Sequence, residues 1–258
     1  MNETKIKIDI WKIFMYLIIY SIVGFFIETI FGIFSKGVIE SRKSFLYGPF
    51  CMIYGIGAIV MILGIRNEKS IIRIFLKSTI IGAIIEYLMS FIFEIIFGVK
   101  WWDYSEYFLN IQGRICLFFS VSWGLLGILL IKFVNPYIDK FIKIIKNNNH
   151  IYKSIVFIII LFFCIDALIT SMALKTFYYR IATENDLNIE NKLKIQENYT
   201  KLVSKSKLGN FIDAHYNNKF MLKTYPNLII EDKDSNLIYV NNILKDFDSY
   251  YYRLGDAF

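Results

Sequence analysis

Cysteine, histidine and proline are scarce in this 258-residue chain, which contains 3 cysteines, 2 histidines and 3 prolines. The cysteines Cys51, Cys116 and Cys164 stand far apart within apolar runs. An odd, widely spaced set argues against a disulfide framework and against a CxxC metal site. His150 and His215 have no partner at a zinc-ligand spacing, so we expect no metal and no other cofactor.

Charged residues are also scarce, at 20% of the chain against 56% hydrophobic residues. Soluble domains usually have about 25% charged and roughly 45–50% apolar residues. The composition therefore excludes a disordered chain and a simple soluble enzyme. Residues 1–174 hold nearly all the long apolar runs, with 17 basic and 11 acidic residues, whereas residues 175–258 hold 12 and 11. A basic excess in the apolar half is typical of membrane proteins and does not predict a nucleic-acid partner.

Five apolar segments are long enough to cross a lipid bilayer, whose core of about 30 Å needs roughly 20 helical residues. They cover about 13–34, 47–65, 71–98, 115–134 and 153–174. Pro136 is expected to end the fourth segment. The sequence therefore predicts an all-α bundle of five transmembrane helices in residues 1–174, followed by a small, helical extramembrane tail in residues 175–258.

The distribution of Lys and Arg among the loops predicts the orientation in the membrane. With the N-terminus inside, the inner loops hold 11 of these residues and the outer loops hold 4. We therefore expect an inside N-terminus, and five spans then place the tail outside. The first apolar stretch exceeds the signal-peptide core of about 7–15 residues, so we expect it to be retained.

An internal repeat is visible in the apolar half. The motif G-x-x-x-E occurs in the first segment as Gly24 to Glu28 and in the third as Gly82 to Glu86. The second and fourth segments also correspond, with G-P-F-C and Tyr54-Gly55 against G-R-I-C and Trp123-Gly124. This pattern predicts two similar hairpins in the same orientation, plus a fifth helix.

Four ionisable residues are expected at one level of the membrane, in its outer half. At 1.5 Å per residue, Glu28 and Glu86 lie roughly 23 Å from the inner surface and Asp166 about 20 Å, while Arg114 opens the fourth segment from outside. Such groups are costly in hydrocarbon and usually face the interior of a bundle. Three interpretations remain open: Arg114 pairs with a glutamate only to hold the bundle, the cluster lines a polar cavity open to the outer face, or the carboxyls are protonated and hydrogen-bonded.

Aromatic residues are dense in the two predicted outer loops. One loop contains Tyr47, with Tyr54 soon after it, and the other contains Trp102, Asp103 and Tyr104. Aromatic residues at the ends of spans commonly form an interfacial belt. The alternative is that the two loops meet over the cavity and form its mouth.

Several motifs resemble those of the bacterial membrane proteins described as type IV ABC-transporter permeases. They are Y-S-I-V-G-F-F-I-E-T, F-L-Y-G-P-F-C-M-I-Y-G, W-W-D-Y-S, N-I-Q-G-R-I-C-L, S-W-G, I-D-A-L-I-T-S and F-I-D-A-H-Y-N-N-K-F-M-L-K-T-Y-P-N. The resemblance covers about residues 10–230. Met52 departs from it, because the family pattern has proline there. The resemblance implies a multipass protein of the bacterial plasma membrane and a role in transport.

Three functions remain open at this point. The first is a permease-like transport subunit, whose ATPase must be a separate chain because the sequence has no G-x-x-x-x-G-K-[ST] motif. The second is a membrane enzyme for a lipid or lipid-linked substrate, with the carboxylates and Asp103 as acid and base. The third is a non-catalytic assembly partner. The basic, amphipathic residues 140–146 would contact either a partner or anionic lipid.

Overall fold

The computed structural model describes residues 9–146, 149–244 and 252–253 of the chain. The predicted inner lysines Lys5 and Lys7 lie outside these residues. The described chain is mostly helical, and four of its helices are long and apolar enough to cross a membrane by length and composition. They are α1 (Ile10–Lys36), α3 (Ile71–Phe97), the helix Leu117–Ile145 and α6 (Asn149–Glu184).

Helices α1 and α3 have the same length and similar ends. Each has 27 residues, begins at a capping side chain (Asp9 or Ser70) and ends at a glycine in the left-handed conformation. Gly37 has φ 68° and Gly98 has φ 71°, and their N–H groups bond the carbonyls of Ile33 and Glu94. Glycine adopts this conformation without the penalty of a Cβ atom, so it stops both helices at defined points.

The second predicted span is only partly helical. Helix α2 (Met52–Ile65) has 14 residues, about 21 Å, which is shorter than the bilayer core. The chain before it is not helical, and the Cys51 N–H donates to the carbonyl of Ser21, deep within α1, at 2.9 Å. Helix α2 therefore starts inside the bundle, after a non-helical segment at residues 44–51.

The fourth apolar segment does not end at Pro136, so that prediction was wrong. Helix α4 (Leu117–Ile128) continues through a π-helical stretch (Leu129–Val134) into α5 (Asn135–Ile145). Pro136 occupies one of the first positions of α5, where its missing N–H costs little. The wider π turns before it shift the hydrogen-bond register, so the helix passes the proline without ending.

The two hairpins, α1–α2 and α3–α4, pack through equivalent glycines. A Cβ atom on Gly24 would lie 2.3 Å from Cβ of Tyr54, and one on Gly82 would lie 2.3 Å from Cγ of Trp123. In each hairpin, a second glycine directly follows the aromatic residue, and it packs against a hydroxyl side chain on the first helix. That hydroxyl stands three residues before the first glycine, Gly24 or Gly82. Gly55 meets Ser21 and Gly124 meets Thr79, with Cβ-to-Oγ approaches of 2.3 Å in both cases.

Helix α6 connects the membrane bundle to the tail without a break. Its 36 residues span about 54 Å, which exceeds the bilayer core, so the predicted division between residues 174 and 175 falls within one helix. The tail adds three further helices to the C-terminal part of α6. They are α7 (Lys192–Lys205), α8 (Lys207–His215) and α9 (Asn218–Thr224).

Two small antiparallel sheets accompany the helices and were not predicted. Strands β2 (Ile229–Glu231) and β3 (Leu237–Tyr239) form a hairpin, which the short helix α10 (Val240–Ile243) follows. Strand β1 (Val38–Ile39), after α1, pairs with β4 (Tyr252–Arg253). The second pair joins residues 252–253 to the loop after α1.

The tail is attached to the loop between α3 and α4 through Lys100. Its backbone exchanges two hydrogen bonds with Ile229, at 2.8 and 2.9 Å, and its buried ammonium group binds Glu231. Tyr225 packs edge-on against Trp101, with ring centroids 6.1 Å apart. The tail therefore lies at the same end of the bundle as both aromatic loops, opposite the N-terminal end of α1.

We expect this attachment to weaken on acidification. The hydrogen bond from Lys100 holds the pKa of Glu231 below its ordinary 4.5. A depressed folded-state pKa contributes stability above the unfolded value, and this stability is lost as the pH falls through the folded pKa. The protection of residues 229–239 against hydrogen exchange, measured relative to the intrinsic exchange rate at each pH, should fall below about pH 4.5 in the wild type, and E231Q should abolish that pH dependence. An identical pH profile in E231Q would contradict the prediction.

Candidate functional site

A cavity of about 480 Å³ lies between the two hairpins at the end of the bundle that carries the tail. Its inner wall comes from α1, α2, α3 and α4, its rim from the two aromatic loops, and one side from tail residues 224–229 and Tyr239. Six of the nine predicted site residues line it: Glu28, Tyr54, Glu86, Trp102, Asp103 and Tyr104. Arg114, Asp166 and Tyr47 are not among the lining residues.

Two carboxylates form the acidic part of the inner wall, and each accepts a tyrosine hydroxyl. Tyr54 donates to Glu28 Oε1 at 2.6 Å, and Tyr104 donates to Glu86 Oε1 at 3.0 Å. Glu86 is 5% exposed, and its Oε2 has no hydrogen-bond partner among the described residues. Neither glutamate forms a salt bridge within the described part of the chain. The wall therefore presents acceptor oxygens that no cationic side chain neutralises.

Aromatic rings surround these carboxylates. Tyr54 and Trp123 contact each other with centroids 5.2 Å apart, and Tyr104 stacks on Phe119 at 4.5 Å. Phe31 meets the edge of Phe119 at 5.9 Å. Rings expose a negative face, so this wall favours a cation or an apolar group over an anion.

Basic residues gather at the rim of the cavity, in the loop after α1. Arg42 and Lys36 both bind the buried carboxylate of Glu40, and the Lys36 Nζ lies 3.1 Å from Glu40 Oε1. Arg42 Nε and the Ser41 hydroxyl are buried yet have no hydrogen-bond partner among the described residues. A Cβ atom on Gly32 would lie 2.8 Å from an Arg42 nitrogen. Glycine at this position therefore lets the guanidinium lie against α1, one turn beyond Glu28.

Asp103 and Trp102 are held at the rim by contacts within their own loop. Asp103 accepts the N–H and the hydroxyl of Ser105 at 3.0 and 2.9 Å. Trp102 donates its indole N–H to the carbonyl of Arg114 at 3.0 Å. These contacts hold the loop beside the cavity, which both residues line.

Arg114 does not join the two cavity glutamates. Its guanidinium binds Glu94 and donates to Ser90 Oγ at 3.2 Å, and it lies over the rings of Tyr87 and Phe91. Ser90 and Glu94 are one and two turns beyond Glu86 on α3. The expected network of Arg114 with Glu28 and Glu86 is therefore absent from the described residues, and Glu94 is the partner of this arginine.

Asp166 and Tyr47 meet outside the cavity, where they hold the non-helical segment. Asp166 is 1% exposed and accepts the N–H of Tyr47 at 3.1 Å. Thr170 donates to the same carboxylate at 3.2 Å and accepts the N–H of Leu46 at 3.0 Å. Asp166 thus satisfies backbone donors of residues 44–51, which have no helical partners.

Sequence reasoning missed the rim residues Lys36, Ser41, Arg42 and Lys43, and it missed the contribution of the tail. It used the loop lysines and Arg42 only to count charges for orientation. The one usable signal was that the loop within each hairpin carries an arginine, with Arg42 nine residues before Cys51 and Arg114 two residues before Cys116. The tail residues carried no such signal.

Four long apolar helices define a multipass membrane protein. The family whose description reads "Putative ABC-transporter type IV" matches residues 15–171, which is more than half of the chain. The chain belongs to this family, as the motifs predicted, and is a membrane protein of a transport-related family. No curated protein and no solved structure matches it.

Proposed function

We propose that this chain is the permease-like subunit of a transporter of the bacterial plasma membrane and that the cavity is its substrate site. The single observation that carries the proposal is a cavity wall with two unneutralised carboxylates, which Ser44 and Cys51, at the two ends of the non-helical segment at residues 44–51, also line. Non-helical backbone at membrane depth is tolerated where it is buried in protein or lines a cavity. Transporters commonly build substrate sites from such interrupted helices at the interface of two repeats.

The topology in this proposal has five spans, with α2 and the preceding segment together forming the second. The N-terminus is inside, and the tail and the mouth of the cavity are outside. The salt bridge between Lys12 and Asp139, at 2.8 Å, belongs to the inner end. The ATP-hydrolysing subunit is a separate chain and binds at that inner end.

Labelling with a membrane-impermeant maleimide tests the topology. In a cysteine-free parent, K201C in the exposed part of α7 should react in intact cells. K69C, exposed in the loop between α2 and α3, should react only after the cells are opened. Labelling of K69C but not K201C in intact cells would mean that the orientation is reversed. Labelling of both would mean that the two sites lie on the same side, which contradicts an odd number of spans between them.

Isolation of the full chain from native membranes tests the transport role. We expect an ATPase to co-purify in stoichiometric amount and its activity to fall several-fold when the cavity is filled by S122W. S120W is the matched control, because Ser120 lies two residues before Ser122 on α4 and does not line the cavity. Purification without an ATPase, together with turnover of a lipid-linked substrate in the absence of ATP, would favour the enzyme over the permease.

A further inference from the structure

The cavity has opposite unsatisfied groups at its two ends, and from this we propose that its ligand is a small zwitterion. The ammonium group binds between Glu28 and Glu86, and the anionic group, a phosphate or carboxylate, binds Arg42 and Ser41. This inference rests on the proposed function, since it takes the cavity as the substrate site. It adds the chemical class of the substrate.

The inner end requires a cation. Glu86 is only 5% exposed and lines the cavity, and its Oε2 atom has no partner in the described chain. Glu28 lines the same wall and has no cationic partner there either. A buried acceptor without a partner costs free energy, and two carboxylates in one site repel each other. A ligand ammonium group of any kind removes the repulsion, and one that carries N–H groups also gives Glu86 Oε2 a hydrogen-bond donor.

An organic ammonium group suits this wall better than a metal ion. Calcium takes 6–8 oxygen ligands and magnesium needs an octahedral oxygen shell, whereas the neighbours of these carboxylates are the rings of Tyr54, Trp123, Tyr104 and Phe119. Aromatic rings attract ammonium and quaternary ammonium groups through cation–π interactions. The tyrosine hydroxyls are already committed to the glutamates.

The outer end requires an anion. Arg42 Nε and Ser41 Oγ are donors without a partner among the described residues, and both residues line the cavity. Lys36 and Lys43 add two further basic side chains to the rim. Glu40 binds Nη2 of Arg42 and holds the guanidinium in place. An oxyanion at this point would accept from Arg42 in the charge-assisted manner typical of arginine sites.

The spacing of the two ends sets the size of the ligand. Gly32, where the Arg42 guanidinium lies, follows Glu28 by four residues on α1, which is about 6 Å along the helix. A cavity of about 480 Å³ also falls in the range of small-molecule sites, roughly 300–1,000 Å³. An ammonium group and an oxyanion separated by about two carbon atoms fit this distance. A free solute and a phospholipid headgroup share that chemistry.

Thermal unfolding of the purified full chain with three probes tests the inference. Phosphocholine carries both charges, 3,3-dimethylbutyl phosphate replaces the ammonium by an uncharged group of the same shape, and choline lacks the phosphate. We expect phosphocholine to raise the unfolding temperature and to bind about tenfold or more tightly than either relative. E86Q should lower the affinity for phosphocholine to about that for 3,3-dimethylbutyl phosphate, and R42Q should lower it to about that for choline. E106Q, in the exposed outer loop, is the matched control and should bind like the wild type.

Nanodiscs distinguish the two sources of the zwitterion. Stabilisation by phosphatidylethanolamine over phosphatidylglycerol, lost in E86Q, would support the inference with a lipid headgroup as ligand, even if free phosphocholine does not bind. Equal binding of phosphocholine and 3,3-dimethylbutyl phosphate that S122W abolishes would overturn the zwitterion but leave the cavity as the site. Absence of any stabilisation in every arm would overturn the zwitterion, and the ATPase measurement above would then decide the proposed function separately.

Discussion

Replacing Gly82 by alanine is expected to lower the stability of the bundle by ~1–3 kcal/mol, the usual cost of overpacking a core. The added Cβ atom would lie 2.3 Å from Cγ and 2.4 Å from Cβ of Trp123. These are the atoms nearest the backbone, so a rotation of the indole cannot remove the clash. Relief requires α3 and α4 to separate, and the purified protein should unfold several degrees lower.

Gly64→Ala provides the matched control within the same bundle. A Cβ atom there would meet nothing closer than Ile81 Cδ1 at 3.9 Å, and alanine is favoured over glycine in helices by about 0.5–1 kcal/mol. G64A should therefore be neutral or slightly stabilising. G24A should resemble G82A, because its Cβ would lie 2.3 Å from Cβ of Tyr54. Equal unfolding temperatures for G82A and G64A would show that the helices do not pack through these glycines.

The long helices could be predicted from the sequence because hydropathy reports directly on membrane span. The segment expected at 13–34 is the helix Ile10–Lys36, and the one expected at 71–98 is Ile71–Phe97. The half-length α2 could not be predicted in this way. Its preceding segment also consists largely of apolar residues, yet it is not helical, and side chains outside it, such as Asp166, satisfy its backbone donors.

The candidate site was predictable in its carboxylates but not in its arginine. Counting residues along a helix gives the depth of a group, and it predicted a similar depth for Glu28 and Glu86, which both line the cavity. The same count does not say which way the loop before α4 folds. Arg114 binds Glu94, eight residues and about 12 Å beyond Glu86. A charge pair nearer the interface costs less than one deep in hydrocarbon.

The position of the cavity follows from the repeat. Tyr54 of one hairpin and Trp123 of the other each pack on the first glycine of their own G-x-x-x-E motif, and the two rings then touch at 5.2 Å. Each glutamate lies one turn beyond its glycine on the same helix face. The packing that joins the hairpins therefore brings the two carboxylates to a common space, although the glycines themselves serve only the packing.

Replacing Arg180 by methionine is expected to unfold the tail around α8 while the membrane bundle persists. The side chain of Arg180 is 7% exposed. It donates to Asn218 Oδ1 at 2.7 Å, to the carbonyl and carboxylate of Asp213 at 2.9 and 2.8 Å, and to the carbonyl of Tyr216 at 2.8 Å. Removing one partner of a buried ion pair typically costs ~3–5 kcal/mol. Limited proteolysis should cut R180M within residues 185–244 much faster than the wild type.

Lys175→Met tests whether any lost charge on α6 has this effect, because Lys175 is exposed one and a half turns earlier. It should leave proteolysis unchanged, whereas R180K should be intermediate, since a lysine cannot reach all four acceptors. The double variant of R180M with D213L should recover part of the protection, because it also removes the half-buried carboxylate that R180M leaves without a cationic partner. If the double variant were cut as fast as R180M, the backbone carbonyls, not the ion pair, would account for the stability that Arg180 gives the tail.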